Sequence, residues 1–181
     1  PRLTAKHAKA SSREWIPACF SMLHCVRRRI GALTKRYIMR VFLAGIMQGS
    51  NDHDGVHAQG YRAYLAGLLR GHVPGVEVFD PWAVYPDSPS YPDEQVRTVL
   101  VANIQEAAAS DLVIAYLPQA SMGTALEMWE AWRAGVPVIA ISPLAANWVV
   151  RTCAVQRFAT LEDFADALQA GAVTGLTALP S

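Results

Sequence analysis

Cysteine is scarce in this 181-residue chain: there are three, and Cys19 and Cys25 both fall within the first 38 positions. Cys153 is alone in the remainder, so neither an internal disulfide framework nor a cysteine-built zinc site is available there. That thiol usage fits a reducing, cytoplasmic compartment. Apolar runs are short. None approaches the roughly 18 residues that span a bilayer, so no membrane partner is expected. Acid is almost missing from residues 1–38, where nine Lys/Arg face Glu14 alone, a sum of +8. Residues 39–181 invert this with seven Lys/Arg and fourteen acids, a sum of −7. The net +1 therefore conceals an acidic body behind a basic leader, and no nucleic-acid partner is expected for the body. The five histidines lack ligand spacing. His7 and His24 lie in the leader, and His53, His57 and His72 read as solvated surface on or near a helix. No metal and no other cofactor is expected.

With 52% hydrophobic and 17% charged residues, the chain is not a disordered or strongly solvated one. Its length suits one domain. Residues 1–38, with Ser11, Ser12 and the run Arg27-Arg28-Arg29, have the composition of an organelle transit peptide. The preferred reading is upstream sequence ahead of a natural start at Met39, because a good strand follows at once in Arg40-Val41-Phe42-Leu43-Ala44. A short helix could cover Trp15–Val26, with no role assigned to it. The expected domain is residues 39–181, with the leader outside the fold.

Within that domain, short apolar runs alternate with helical patterns, which predicts a parallel sheet with crossover helices. The expected strands are Arg40–Ala44, Val76–Asp80, Leu112–Leu117 and Val136–Ile141, with a weak fifth near Arg157–Ala159. The third and fourth carry Val, Ile and Leu at both parities, as strands buried on both faces do. The expected helices are Val56–Leu69, Asp93–Ala109, Met122–Ala134, Ala146–Cys153 and Leu161–Ala170. Gly135 is placed to end a helix and Thr160 to start one. Pro81–Pro92, with four prolines, reads as a long loop of the kind that forms lids or binding segments. The predicted fold is α/β, a flavodoxin-like doubly wound five-stranded parallel sheet with helices on both faces. Ligands of such sheets bind beyond the carboxyl ends of the strands, where the winding reverses. That directs attention to the loops Gly45–Asp54 and Pro118–Thr124.

The first loop, Gly45-Ile46-Met47-Gln48-Gly49-Ser50-Asn51-Asp52, has glycines for close backbone approach and small polar donors. It is neither a P-loop nor a G-x-G-x-x-G fingerprint, and a plain strand–helix turn explains it as well. The second, Ser121-Met122-Gly123-Thr124-Ala125-Leu126-Glu127, opens a helix directly after a buried strand. Ser121 is a good N-cap, and the free amides of the first turn favour an anion. Helical spacing puts Glu127 on one stripe with the small residues Gly123, Thr124, Ala131 and Ala134. That stripe can face a cavity, with a core face of Leu126, Met128, Trp129 and Trp132 beside it. A carboxylate against a partly apolar wall can act as a nucleophile at an anomeric carbon. The alternative is a solvated glutamate paired with Arg133 or another surface group.

Gly123-Thr124-Ala125-Leu126-Glu127, followed by Ala131, Gly135 and Val136-Pro137-Val138-Ile139-Ala140-Ile141, resembles the nucleoside 2-deoxyribosyltransferase family. Phe42-Leu43-Ala44-Gly45-Ile46-Met47-Gln48-Gly49 is similar to that family's opening strand and loop. The resemblance covers about residues 39–160, and the Gly-x-x-x-Glu element is its specific part. It implies N-glycosidic bond chemistry. The glutamate, matched by Glu127, attacks the anomeric carbon of a (deoxy)nucleoside, expels the base and forms a glycosyl ester, which a second base or water resolves. The resemblance further implies a small-molecule nucleoside or nucleotide as partner and a homo-oligomer. Ser121 stands where the transferases carry an acid and where the related deoxynucleoside 5′-monophosphate N-glycosidases carry a phosphate-binding serine, which tilts the substrate toward a monophosphate. Gln48 departs from the arginine those hydrolases tend to have. Asn103 stands where the family usually has an aspartate, and an amide cannot take a proton as a carboxylate can. The general acid would then be another group such as Asp80 or Asp52. Asp80 is equally explained as a turn cap. Asn147 matches an asparagine that family members place in a neighbouring subunit's site, and a helix N-cap explains it too. Trp82, Tyr85 and Trp148 could stack on a base, whereas Trp129 and Trp132 read as core or interface residues. The expected site is thus Glu127 and Asn103 for catalysis, with Gly45, Gln48, Gly49, Asp80, Ser121, Gly123 and Asn147 for binding.

Overall fold

A computed structural model describes residues 38–49 and 55–176 of the chain. The expectations for the leader, including the Trp15–Val26 helix, and those for Asp52 and His53 lie outside the described residues. Five parallel strands form one sheet in the order β2-β1-β3-β4-β5. They are β1 (Arg40–Gly45), β2 (Glu77–Phe79), β3 (Leu112–Tyr116), β4 (Val138–Ile141) and β5 (Ala154–Phe158). The helices are α1 (Gly60–His72), α2 (Pro81–Val84), α3 (Asp93–Ala109), α4 (Met122–Arg133), α5 (Trp148–Cys153) and α6 (Leu161–Gln169). This is the expected α/β, flavodoxin-like arrangement, with the winding reversed between β1 and β3.

Strand alternation divides the core into two layers. Val41, Leu43, Leu112, Ile114, Ile139 and Ile141 face α1 and α6, meeting Leu65, Leu69, Phe164 and Leu168. Phe42, Ala44, Val113, Ala115, Val138 and Ala140 face the other way, toward Ala107 of α3, Met128 and Ala131 of α4, and Val150 and Cys153 of α5. The second sheet face is rich in alanine, so α4 seats its own small residues against it. This reverses one expectation. Thr124, Glu127, Met128 and Ala131 are the buried face of α4, whereas Leu126, Trp129 and Trp132 are exposed. The two tryptophans are therefore not core; their rings meet at a tilt of 33°, with centroids 5.0 Å apart.

The ends of α4 form as the sequence suggests. Ser121 caps its start, its hydroxyl accepting from Thr124 N. At its end Gly135 adopts φ +77, and Gly135 N and Val136 N donate to Trp132 O and Ala131 O. That paired closure needs a left-handed residue, which glycine supplies without strain. Thr160 and Asp163 form a reciprocal capping box on α6.

Three elements differ from expectation by more than two residues. The first helix runs Gly60–His72 rather than Val56–Leu69, because His57 and Gln59 are committed to loop hydrogen bonds with Met47 and Ile46. The fifth strand starts at Ala154, directly after α5, not at Arg157. As an edge strand it alternates half-buried and exposed residues and lacks an apolar run. Pro81–Pro92 is not a plain loop: it contains α2 and a 3-10 turn at Ser88–Ser90.

Candidate active site

Beyond the carboxyl ends of β1 and β3, where ligands of such sheets bind, lie the loop after β1, the start of α4, and Asp80 after β2. Gly45 closes β1, and the space a side chain would take there is filled by Tyr61. A Cβ there would collide with Tyr61 Oη, so the glycine accommodates the Tyr61 ring, whose hydroxyl donates to Ile46 O at 3.1 Å. Gly49 adopts φ +63, and a Cβ would lie 2.8 Å from His57 Nε2. Gln48 is exposed. Gly123 is different: a Cβ there would meet nothing within 4 Å, so the first turn of α4 borders open space.

Glu127, one turn further on, is 8% exposed. It makes no hydrogen bond or ion pair with any described residue. Arg133, the pairing partner considered for it, bonds Glu130 instead at 3.2 Å. Burial pushes the Glu127 carboxyl up from 4.5 to about 8, while the Arg62 guanidinium pulls it down. A carboxyl largely removed from water without a compensating bond costs stability. Such a group is a functional-site candidate on physical grounds.

Arg62 is the residue that sequence reasoning missed. It is 2% exposed, and its Nη1 donates to Asp80 Oδ1 at 2.9 Å and Leu43 O at 3.0 Å. Its Nη2 reaches Gly45 O at 3.0 Å, and Nε reaches Gln59 Oε1 at 2.7 Å. Asp80 is the turn cap considered for it as well, since the same Oδ1 accepts from Trp82 N at 3.0 Å. Asp80 Oδ2 has no described partner. Desolvation raises the Tyr61 phenol well above its ordinary range, opposed by Arg62 and reinforced by Asp80, Glu127 and Tyr116. These five side chains therefore share one electrostatic neighbourhood.

Asn103 is buried on α3, the helix packed against α4, and its Oδ1 has no described partner. Ser121 Oγ accepts from Thr124 Oγ1 at 3.0 Å in addition to capping α4. Asn147 acts as an N-cap, accepting from Val149 N at 3.0 Å and Val150 N at 3.3 Å. Beside it Trp148 is 82% exposed, while Trp82 and Tyr85 are half-buried. His57, expected on solvated surface, instead bridges the two site loops, with its Nε2 2.7 Å from Gln119 Nε2. No signal in the sequence marked that pairing across 62 positions. Among the described residues no group of three or more His, Cys, Asp or Glu could hold a metal, and no helix is long and apolar enough to cross a membrane.

No family model matches the chain, and no curated protein matches it by sequence. Solved structures do match its fold. The crystal structure of a conserved protein from Enterococcus faecalis aligns with TM-score 0.54 at 20% identity, covering 74% of this chain and 99% of that one. A 2-deoxyribosyltransferase from Bacillus psychrosaccharolyticus aligns with TM-score 0.53 at 18% identity, covering 70% and 90%. The solution structure of BlsM gives TM-score 0.53 at 21% identity, covering 75% and 88%. The chain thus has the fold of these proteins over nearly their whole length, and that fold is one on which a 2-deoxyribosyltransferase is built.

Proposed function

We propose that the protein is an enzyme that cleaves the N-glycosidic bond of a (deoxy)nucleoside or its 5′-monophosphate, with Glu127 as nucleophile. The observation that carries this reading is Glu127 itself, a buried carboxyl unbonded to any described residue at the switch-point crevice, beside the open space over Gly123. Fold likeness to a 2-deoxyribosyltransferase supports it. In the first step a Glu127 oxygen bonds the anomeric carbon as the C–N bond breaks, and the base departs with the electron pair and takes up a proton from solvent water. In the second, water or another base bonds that carbon and frees the Glu127 carboxylate. Asp80, whose Oδ2 has no described partner, would accept from ligand hydroxyl or amino groups, and Asn103 would offer an amide in place of an acid. Ser121 and the open amides of α4 are candidates for the anionic end of a monophosphate. Gln48, Gly49 and Asn147 complete the proposed binding set.

Incubating the protein with nucleosides and 5′-monophosphates, in ribo and deoxy forms, and following free base by chromatography tests the reading. Release abolished by Glu127→Gln supports it; release unaffected by that change overturns it. New nucleoside on adding a second base identifies transfer over hydrolysis. A second reading, a non-catalytic nucleotide-binding module of the same fold, is favoured by the amide at Asn103 and by a Glu127 carboxyl largely protonated near neutral pH. Ligand binding without base release at pH 9 would select it.

We further propose a homo-oligomer. Val96, Leu100 and Val101 of α3 and Leu126, Trp129 and Trp132 of α4 are exposed apolar residues on two adjacent helices. Patches of that kind mark association surfaces. A cytoplasmic location follows from the thiol usage of the sequence.

A further inference from the structure

β1 pairs with β2 only through Arg40, Val41 and Phe42, and the partnership ends at Phe79. Beyond that point β1 has no strand on its β2 side, while its other side stays paired with β3 as far as Gly45. The buried Arg62 guanidinium occupies that β2 side, donating to Leu43 O and Gly45 O on one side and to Asp80 Oδ1 on the other. With Gln59, these bonds use four of the five N–H donors of its fork. We propose that Arg62 is a positioning residue of the site, a wedge that replaces the missing length of β2, fixes Asp80 against the end of β1 and sets the charge facing Glu127.

The groups around Glu127 make this role specific. Tyr61 and Tyr116 are phenols, and burial holds Tyr61 neutral. Asn103 is uncharged. Arg62 is therefore the charge that favours the carboxylate form of Glu127, and Asp80 acts on it through its bond to Arg62. Lysine could keep the charge but not the fork that reaches two carbonyls and a carboxylate at once. The kinetic part of this inference rests on the proposed glycosidic activity; the electrostatic part does not.

The test uses the full chain carrying Arg62→Gln, Arg62→Lys or Asp80→Asn. The Glu127 carboxyl is followed by ¹³C NMR of ligand-free protein, its resonance assigned by loss in Glu127→Gln. Removing the positive charge in Arg62→Gln should raise the Glu127 midpoint by about one pH unit. Asp80→Asn keeps an acceptor for Arg62 and leaves its positive charge unopposed, so the midpoint should fall, by less than Arg62→Gln raises it. Arg62→Lys should lower kcat for base release at least about tenfold with little change in KM, since geometry rather than binding is disturbed. If Arg62→Gln does not fold, Asp80→Asn decides the electrostatic part. Unmoved Glu127 midpoints, or an Arg62→Lys protein with unchanged kcat, overturn the inference. A wild-type protein that releases no base removes the glycosidic reading and leaves the NMR titration to judge Arg62.

Discussion

Replacing Glu127 by glutamine should stabilise the protein, and only above a definite pH. The folded carboxyl binds its proton to about pH 8, whereas an unfolded one releases it near 4.5. Between these values the native state holds more protons than the unfolded state, so stability falls as pH rises. Below pH 4.5 both states are protonated and no penalty exists. Above pH 8 the penalty is complete. At 1.36 kcal/mol per pH unit the interval corresponds to roughly 5 kcal/mol, an upper figure because water entry and relaxation reduce it to a few kcal/mol. Glutamine matches the protonated carboxyl in shape and never ionises, so it removes the penalty. Urea unfolding of both proteins across pH 5–9 measures this directly. The two should nearly coincide at pH 5 and diverge steadily toward pH 9, with Glu127→Gln the more stable by about 2–4 kcal/mol. A difference that does not grow with pH refutes the reasoning, because it means Glu127 is solvated or paired. Such a gain at the cost of function is the usual relation between a buried catalytic group and stability.

Base release should itself rise with pH up to about 8 and then level, since the attacking species is the ionised Glu127; a flat profile between pH 6 and 9 contradicts this assignment. Gly123→Ala meets open space and improves helix propensity, so thermal stability should hold or rise slightly while base release falls as the methyl enters the crevice. Gly49→Ala should instead lower stability by about 1–2 kcal/mol, because φ is +63 and the methyl presses on Ile46 and His57; calorimetry checks it. Trp132→Glu should reduce the molar mass found by light scattering if the α3–α4 face joins copies of the chain, and leave it unchanged otherwise.

Much of the fold can be read from the residues, for identifiable reasons. β3 and β4 are covered on both faces and so read as uninterrupted Val, Ile and Leu, whereas β5, at the edge, offers only alternation too faint to place. Gly135 and Thr160 announced helix ends because their chemistry is local. The orientation of α4 was misread because size was taken as a guide to burial. An alanine-rich sheet face prefers small partners, and it turned the tryptophans outward. Glu127 was legible from its spacing to Gly123, but its isolation from Arg133 was not, since pairing on a helix surface leaves no trace in sequence. Arg62 was illegible for the same reason. One arginine on a helix looks like another until the short β2 exposes the carbonyls it serves. Gln59 three residues earlier and Asp80 at the next strand end were its only signs.

The central claim, that Glu127 forms a bond to the sugar, is tested most directly by acid-quenching the protein during turnover of a deoxynucleoside or its 5′-monophosphate and weighing its peptides. The account predicts a peptide containing Glu127 heavier by one glycosyl group, absent from Glu127→Gln protein. Base release in progress with Glu127 unmodified at every quench time, and undiminished in the variant, would contradict it.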